Sequence, residues 1–587
     1  MSEQYTFENK EFKDTYRHTT SHILAQAMKR LYPEVKLAIG PAIEDGFYYD
    51  FDAPEPFSPE VLEKLEAEMR KICKEKLKLE RFELPREEAI KFMEEREEPY
   101  KVELINDLPE DAAISFYKQG EFVDLCAGPH VDSTGRIKGI AIKLTSVTGA
   151  YWRGDSNRKM LQRIYGTCFQ KKDELDAHLA KLEEAKLRDH RKIGKELQLF
   201  MTDELVGRGM PMFLPKGYTL WRILEDYIRD KEIKTGYQHV MTPCVGTVQL
   251  YKTSGHWDHY KENMFPAMEV DDEAYVLRPM NCPHHMRIYA NQPHSYRNLP
   301  IRIGEIAHDF RYEASGSLKG IERGRHFCQN DAHLFVTPEQ IKDEVAKVVD
   351  LIFTTYQDFG IEDYRIILSL RDPADKVKYH DDDEMWNTAE TALRDVMDQL
   401  GLDYTEEIGE AAFYGPKLDV NVKPAVGAEY TLSTFQLDFF MPAKFQLTYV
   451  DKDGAERTPV VIHRAILGSL DRFMAYLIEE TMGAFPLWLA PVQVKIMPIT
   501  DRVNGYAEQV CEKLEAAGIR AETDLRNEKI GYKIREAQGQ KLPYMLVVGD
   551  KEAEAGTVSV RTLKGEQSVE DVDALIARLL ADIKARK

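Results

Sequence analysis

The spacing of apolar positions changes several times along the chain, and each change marks a predicted region. Near the start, Thr15–Tyr32 and Pro59–Leu77 place apolar residues three and four positions apart, which predicts two amphipathic helices. Three shorter runs, over Gly46–Phe51, Phe122–Leu125 and Gly139–Val147, have strand-like composition. Residues 1–168 are therefore predicted to form an α+β domain.

A highly charged segment follows, over residues 169–192. Within it, Gln170–Arg191 carries Leu175, Leu179 and Leu182 on one helical face and few other apolar residues. A helix of this kind connects domains better than it builds a core. We expect a helical linker here.

Strand-like runs dominate residues 193–486, whereas short strands alternate with helices in residues 487–587. The strands predicted in the larger region are Ile301–Phe310, Arg325–Val336, Arg365–Ser369, Glu429–Phe439, Phe445–Val450 and Val460–Ile462, with a helix over Ile466–Glu480. This pattern favours an antiparallel sheet. The last region, with helices at Val503–Ala517 and Ile530–Ala537, favours a small α/β domain. The whole is predicted to be an α+β multidomain protein.

Composition limits the class of protein and its compartment. Hydrophobic residues make up 43% and charged residues 30%, as in soluble globular proteins. The polar N-terminus lacks a secretory signal, and no run reaches the roughly 18 apolar residues of a membrane helix. Seven scattered cysteines favour a reducing, cytoplasmic compartment. The net charge of −21 argues against binding nucleic acid through overall charge, so any such contact must use local basic surfaces.

The stretch Arg302–His333 predicts two strands joined by a long basic loop. The loop carries Lys319, Arg323 and Arg325. Loops of this length usually have a function, and the arginine fork matches two phosphate oxygens at once. A phosphate-binding loop is the predicted role.

Two pairs of metal-type side chains occur in the first region. His18 and His22 are four positions apart and share a helix face, and Cys126 and His130 lie four apart further on. Together they could hold zinc or act as acid–base groups on water. The alternative is a buried structural pair with surface histidines, which is less favoured because both pairs occur in one small domain.

Weaker candidates lie in the larger region. Cys282, His333 and His463 are so far apart in sequence that, by spacing alone, a packed cysteine and two hydrogen-bonded histidines are the better explanation. His463 is predicted to end its strand. Arg472 follows Gly468 by four residues and could bind an anion, although a surface arginine is commoner. His256 and His259 are predicted to shape a loop.

These groups, in this order, resemble the bacterial threonyl-tRNA synthetases, which are class II aminoacyl-tRNA synthetases. The resemblance covers essentially the whole chain, and its most specific stretches are Tyr151–Asn157, Lys192–Lys195, Arg278–Pro283, Gly409–Lys417 and Ile462–Ser469. It implies three domains, for editing (1–168), catalysis (193–486) and anticodon binding (487–587), with 169–192 as the linker. It also implies a cytoplasmic homodimer whose motif 1, Gly236–Pro243, forms the dimer interface.

The resemblance implies ATP-dependent formation of threonyl-adenylate and transfer of threonine to tRNA(Thr). The stretch Phe310–Glu313 and the loop after it resemble motif 2 of the family, and Gly468–Arg472 resembles motif 3. ATP, bound with Mg²⁺, would contact Arg311, Glu313, Arg323, Phe327 and Arg472. Arg311, Arg472, Gln329 and Lys417 match the catalytic positions.

The resemblance also assigns a catalytic zinc ion, one per subunit, to Cys282, His333 and His463. Threonine could chelate that ion through its amine and hydroxyl, whereas valine has no hydroxyl. The positions that line the amino-acid pocket are Met280, Asp331, Tyr414 and Gln436.

Serine differs from threonine by one methyl group, which provides only about 1–3 kcal/mol of discrimination. A second, hydrolytic site for seryl-tRNA is therefore expected. The matching positions are His18, His22, Lys101, Asp124, Cys126 and His130. The resemblance implies that this site works without metal, although the same side chains could bind zinc.

The C-terminal region matches the family's anticodon-reading positions at Asn527, Glu552 and Arg561, and Lys541 stands where arginine is more usual. Many relatives begin with a further small ubiquitin-like domain that has no counterpart in this sequence. Two rival hypotheses remain: a catalytically inactive RNA-binding paralogue, and another class II synthetase of the prolyl or seryl type. An inactive paralogue is expected to have lost Arg311, Arg472 or a zinc ligand. A synthetase of another type is expected to lack the set of metal ligands Cys282, His333 and His463.

Overall fold

The computed structural model describes residues 6–155, 157–425 and 427–587. The chain divides into two compact units, the first ending at Glu183 and the second beginning at Glu184. Among the described residues, no helix combines the length and the apolar composition needed to cross a membrane.

The first unit packs a long helix against an antiparallel sheet. Its elements are α1 (Lys10–Leu31), β1 (Lys36–Leu37), β2 (Ala42–Ile43), β3 (Gly46–Asp52), α2 (Pro59–Glu75), β4 (Leu79–Leu84), α3 (Arg86–Glu94), α4 (Pro99–Asp107), β5 (Ile114–Gln119), β6 (Phe122–Leu125), β7 (Ile142–Tyr151), β8 (Met160–Cys168) and most of α5 (Lys172–Arg188). One sheet has the order β1-β3-β8-β7, with β2 pairing β3, and the other is β4-β5-β6. The side chain of Asn9 caps α1 by accepting from the Phe12 amide at 3.0 Å.

The larger part of the second unit is built on an eight-stranded sheet. Its elements are α6 (His190–Glu196), β9 (Phe200–Met201), β10 (Met212–Phe213), α7 (Pro215–Lys234), β11 (Gln238–His239), β12 (Val245–Thr247), α8 (Val248–Thr253), α9 (His256–His259), β13 (Met268–Val270), β14 (Glu273–Leu277), α10 (Cys282–Tyr289), β15 (Ile301–Phe310), β16 (His326–Val336), α11 (Ile341–Phe359), β17 (Tyr364–Leu370), α12 (Asp383–Leu400), β18 (Tyr404–Ile408), β19 (Lys417–Val422), β20 (Tyr430–Asp438), α13 (Phe440–Lys444), β21 (Tyr449–Val450), β22 (Glu456–Arg457), β23 (Val460–Ser469) and α14 (Leu470–Thr481).

The order of that sheet is β11-β15-β16-β23-β20-β19-β17-β18. The central pairings are antiparallel, and only β11–β15 and β17–β18, at the two edges, are parallel. Helices α7, α11 and α14 supply buried side chains to the same core as this sheet. The predicted antiparallel sheet and the α+β class are thereby confirmed.

A smaller five-stranded sheet, β25-β24-β26-β27-β28, forms near the C-terminus. Its elements are β24 (Val494–Pro498), α15 (Asn504–Ala516), β25 (Ala521–Thr523), α16 (Ile530–Gly539), β26 (Tyr544–Val548), α17 (Asp550–Ala555), β27 (Thr557–Thr562), β28 (Gln567–Asp571) and α18 (Val572–Lys584). The pairings β24–β25 and β24–β26 are parallel, as the alternation of strands and helices predicts.

Two local predictions are wrong. Of the strand expected at Phe445–Val450, only Tyr449–Val450 is formed. Helix α13 ends at Lys444, and a turn and irregular backbone fill the residues between them. Strand β23 continues past His463 to Ser469, so His463 lies inside the strand and the helix begins only at Leu470. Every residue from Val460 to Leu467 is buried, including His463 and Arg464, so no alternation of apolar and polar positions marks the strand.

Candidate active and editing sites

Strand pairing places the predicted catalytic residues in rows on one face of the large sheet. Along β16, Phe327, Gln329, Asp331 and His333 alternate in sequence, so their side chains share that face. Across the sheet, His333 pairs with His463, which in turn pairs with Gln436. Gln436 pairs with Lys417, which completes a row over four strands.

A cavity of about 440 Å³ opens over this face. A smaller cavity of about 90 Å³ shares seven lining residues with it and reaches Cys282, Asp331 and His463. The structure thus brings together all the residues predicted for ATP and amino-acid binding. Those lining the larger cavity are Met280, Arg311, Glu313, Arg323, Phe327, Gln329, Tyr414, Lys417, Gln436 and Arg472.

Two arginines in the larger cavity have no acidic partner. Arg311 donates weakly to the Pro279 carbonyl at 3.4 Å, and Arg472 donates to the Glu322 carbonyl at 3.2 Å. Among the described residues, neither guanidinium has a carboxylate within salt-bridge distance. Burial lowers the pKa of Arg472, because it removes water from around the charged guanidinium. Such a pair of cations is preorganised for an anionic ligand.

The turn from β23 into α14 depends on Gly468. Its φ is +59°, and a Cβ there would lie 2.4 Å from the Leu432 carbonyl oxygen. The next residue, Ser469, caps α14 by accepting from the Arg472 amide at 3.2 Å. The glycine and the cap together orient the first turn of the helix, and so direct Arg472 into the cavity.

The remaining polar groups of the cavity are held by neighbours. Glu313 pairs with Arg323 at 2.9 Å. The ring of Phe327 lies 4.8 Å from the Arg311 guanidinium, so a planar group could stack there. Lys417 pairs with Asp419 at 2.6 Å, and the Tyr414 hydroxyl donates to Gln436. The result is a cavity whose polar side chains are already oriented.

Cys282, His333 and His463 form a buried cluster, with their potential ligand atoms all within 4.8 Å of one another. Cys282 is the first residue of α10. Burial raises the pKa of the Cys282 thiol and lowers the pKa of His333, which favours the neutral form of these two side chains when no ligand is bound. Nε2 of His333 is buried and has no hydrogen-bond partner. One sulfur and two imidazole nitrogens, with one nitrogen unsatisfied, fit a zinc ion with an open coordination position.

In the first unit, helix α1 and the loop after β6 bring His18, His22, Cys126 and His130 together, with potential ligand atoms within 4.8 Å of one another. Sγ of Cys126 lies 3.4 Å from His18 Nε2 and 3.2 Å from His130 Nε2. Burial raises the pKa of Cys126 to about 12 and lowers the pKa of all three histidines. At neutral pH the cysteine is therefore a thiol and the imidazoles are neutral bases.

A buried ion pair borders this cluster. Lys101 Nζ lies 2.6 Å from Asp124 Oδ1, and Tyr49 donates to Asp124 Oδ2 at 2.6 Å. His22 Nε2 is 3.8 Å from the same Asp124 oxygen. All six residues predicted for the editing site therefore belong to one connected group.

The four predicted anticodon positions are not joined by such contacts. Asn527 and Lys541 are exposed in loops, Glu552 accepts from the Gly549 amide at 2.9 Å, and Arg561 pairs with Met545 across β27 and β26. Within the described part of the chain, no hydrogen bond or ion pair connects the four.

Sequence analysis missed several residues of the sites. His256 is not in a loop: it is buried in the helical turn His256–His259, with Nε2 3.2 Å from Met280 Sδ, and His259 lines the larger cavity. His285 and Asp438 contact the cysteine–histidine cluster from behind. No spacing signal identifies these partners, because their proximity arises from strand pairing.

Three family models match the chain. They are the tRNA synthetase class II core domain (G, H, P, S and T) over residues 265–481, the anticodon binding domain over 493–582, and the threonyl and alanyl tRNA synthetase second additional domain over 114–165.

Whole-chain relatives and solved structures agree with these models. A threonine–tRNA ligase of Geobacillus sp. WCH70 is 60% identical over 97% of this chain and 89% of its own length. Threonine–tRNA ligase 1 of Bacillus subtilis is 56% identical over 97% and 88%. The solved RNA binding domain of threonyl-tRNA synthetase from Cryptosporidium parvum is 39% identical with a TM-score of 0.64, covering 67% of this chain and 98% of its own. A putative threonyl-tRNA synthetase from Aeropyrum pernix is 25% identical with a TM-score of 0.59, covering 68% and 97%. The resemblance inferred from the sequence is confirmed: the chain belongs to the threonine–tRNA ligase family of class II aminoacyl-tRNA synthetases.

Proposed function

We propose that the protein activates L-threonine with ATP, transfers the threonyl group to the 3′ end of tRNA(Thr), and hydrolyses seryl-tRNA(Thr). One observation carries the synthetic part: two arginines without acidic partners share a cavity that leads to a cysteine–histidine–histidine cluster. An anion and a small ligand that binds a metal would then meet over one face of the sheet.

In the activation step, a threonine carboxylate oxygen attacks the α-phosphorus of ATP and pyrophosphate leaves. Arg311 and Arg472 stabilise the negative charge that develops on the phosphate oxygens, and they are already in place before ATP binds. Gln329 and Lys417 line the same cavity and orient the carboxylate and the phosphates. Mg²⁺ enters with ATP and neutralises part of its charge.

The adenine is expected to stack on Phe327, with Arg472 on the far side of ATP. Phe327 provides a flat apolar face, and the Glu313 carboxylate accepts from the exocyclic amine of adenine. The ion pair with Arg323 holds the Glu313 side chain in position in the cavity. These side chains all lie on or beside the loop between β15 and β16.

The amino-acid side chain is expected to enter the smaller cavity. Met280, Tyr414, Gln436 and Asp331 line it beside the cluster. Zn²⁺ held by Cys282, His333 and His463 would supply a Lewis acid for the amine and hydroxyl of threonine. Valine would leave Asp331 and the other buried polar groups of this cavity without a partner, which costs more than the lost contact alone.

We assign the editing reaction to residues 1–168. The neutral imidazoles of His18, His22 and His130 can accept a proton from water attacking the seryl ester, while the protonated Cys126 acts as a hydrogen-bond donor rather than a nucleophile. Lys101 pairs with one oxygen of Asp124, and the other oxygen lies beside His22. These groups can promote hydrolysis without a metal ion.

The remaining assignments extend this proposal. Residues 193–486 form the catalytic domain, 169–192 the linker and 487–587 the anticodon-binding domain. The last of these contacts the anticodon through Asn527, Lys541, Glu552 and Arg561. The protein acts in the cytoplasm as a homodimer.

The test compares aminoacylation by the wild type and Cys282→Ser with seryl-tRNA hydrolysis by the wild type and His18→Ala. We expect Cys282→Ser to lose threonylation and keep hydrolysis, and His18→Ala to show the reverse. Normal threonylation by Cys282→Ser would contradict the metal role. Unchanged hydrolysis by His18→Ala would contradict the editing assignment.

A further inference from the structure

Behind the cysteine–histidine cluster, a chain of buried hydrogen bonds leads away from His333. Nδ1 of His333 lies 2.8 Å from Nδ1 of His285. Nε2 of His285 in turn lies 3.1 Å from Glu305 Oε2. His285 and His333 are fully buried and Glu305 is nearly so, which makes these contacts strong and excludes competition from water.

This series of hydrogen bonds ends at Glu305, which acts as an acceptor. The Glu305 carboxylate accepts from the amide and hydroxyl of Thr242 and lies 3.5 Å from Arg278. Burial by itself would raise the pKa of Glu305, but the His285 hydrogen bond and the Arg278 charge outweigh it and lower that pKa to about 2. An ionised carboxylate has no proton to donate. Nε2 of His285 must therefore carry the proton that they share.

The contact with Glu305 orders the hydrogen bonds of both rings. In its neutral form an imidazole has one N–H donor and one acceptor nitrogen, so a His285 ring that donates from Nε2 to Glu305 accepts at Nδ1 from Nδ1–H of His333. The lone pair of His333 is then on Nε2. That is the buried nitrogen without a hydrogen-bond partner, and its nearest carboxylate oxygen, on Asp331, is 3.8 Å away.

The carboxylate of Asp438 orients the ring of His463 in a similar way. Nε2 of His463 lies 2.8 Å from Asp438 Oδ2. Because a carboxylate accepts hydrogen bonds, this contact selects the tautomer with the proton on Nε2 and the lone pair on Nδ1. The other oxygen of Asp438 accepts from the amides of Phe440 and Met441 at 2.8 and 2.9 Å. Asp438 is therefore fixed by the start of α13, and it in turn fixes the ring of His463.

His285 is not itself suited to be a ligand. Both of its ring nitrogens are already engaged, one by His333 and the other by Glu305. Its neighbour His284 differs: that ring is only half-buried and its Nε2 lies 3.3 Å from the Val245 carbonyl oxygen. Two adjacent histidines thus have different environments, and only one of them contacts the cluster.

We propose that His285 and Asp438 are positioning residues that hold His333 and His463 in the tautomers whose lone pairs face the cluster. The inference rests on the proposed zinc site, and it assigns to these two residues a role in metal affinity that precedes any reaction. Partners of this type typically change metal affinity by about 10–100-fold when they are removed.

The experiment measures Zn²⁺ affinity of the full chain by competition with a chromophoric chelator, and records the absorption spectrum of the Co²⁺ form. His285→Leu keeps the volume and removes both hydrogen bonds. His285→Asn keeps an acceptor, because its side-chain oxygen can take the place of Nδ1. His284→Leu is the matched control, and circular dichroism with thermal unfolding checks that each variant is folded.

We expect His285→Leu to bind Zn²⁺ about 10–100-fold more weakly, His285→Asn to recover part of that loss, and His284→Leu to match the wild type. The Co²⁺ spectrum should change in His285→Leu but not in His284→Leu. If His285→Leu does not fold, a weakened and spectrally altered His285→Asn still supports the inference. Wild-type affinity in both His285 variants, or an equal loss in His284→Leu, would overturn it. Absence of Zn²⁺ binding by the wild type would instead refute the zinc site itself.

Discussion

Replacing Arg472 by glutamine tests whether the unpaired arginines of the cavity act on the reaction rather than on folding. Arg472 makes one side-chain hydrogen bond, to the Glu322 carbonyl, and has no acidic partner among the described residues. Losing that bond costs about 1 kcal/mol. Since burial lowers the pKa of Arg472, removing its charge returns part of the desolvation cost. The unfolding free energy should therefore change by less than about 1 kcal/mol.

The effect on catalysis should be much larger. A preorganised donor to a charge that develops in the transition state contributes about 2.7–4 kcal/mol, or roughly 10²–10³-fold in rate. We expect kcat/KM for ATP in ATP–pyrophosphate exchange to fall by that factor, with a small change in KM for threonine. Arg472→Lys should lose less than Arg472→Gln, because it keeps the charge but not the planar fork.

The assay is ATP–pyrophosphate exchange at varied ATP, run alongside thermal unfolding of each variant. A fall in exchange accompanied by an equal loss of stability would assign Arg472 a structural role. Exchange within threefold of the wild type in Arg472→Gln would refute its role at the phosphates.

Three further predictions concern buried ionisable side chains. Burial lowers the pKa of the editing histidines, so the rate of seryl-tRNA hydrolysis should be constant above about pH 6.5. The rate should decline only at lower pH, where these histidines become protonated. A midpoint at or above about pH 6.5 in the pH–rate profile would contradict this prediction. Lys101→Met leaves buried Asp124 without its cation and should cost about 3–5 kcal/mol in denaturant unfolding as well as hydrolysis; an unchanged midpoint would refute the pairing. Arg464→Met removes the arginine that lies 2.6 Å from fully buried Glu232 and leaves that side chain with only Asn330 and His239. The change should destabilise the second unit by a similar amount, which calorimetry would detect.

Periodicity was sufficient to locate most elements near the sites. Helices such as Pro59–Glu75 lie close to their predicted positions because one face is buried and the other is polar. The hairpin Ile301–Phe310 and His326–Val336 also lies close to its predicted position, although its second strand is buried from Asn330 to Val336. The method failed at Val460–Leu467, where every residue is buried and no alternation remains. It failed again after Phe439, where Asp438 caps a short helix that no apolar pattern marks.

The metal cluster shows a different limit. By spacing, Cys282, His333 and His463 were a weak signal, and only the resemblance to a known family raised it. The structure explains why spacing is uninformative: His333 and His463 are neighbours through antiparallel pairing, and the sequence does not state the register of strands so far apart. His285 and Asp438 were missed for the same reason.

ATP–pyrophosphate exchange with each amino acid in turn tests the central claim most directly. We expect strong exchange with threonine, weaker exchange with serine and little with valine. This order follows from the unpaired arginines, the cysteine–histidine cluster and the polar amino-acid cavity. Exchange that does not depend on threonine, or that proceeds equally well with valine, would contradict the account.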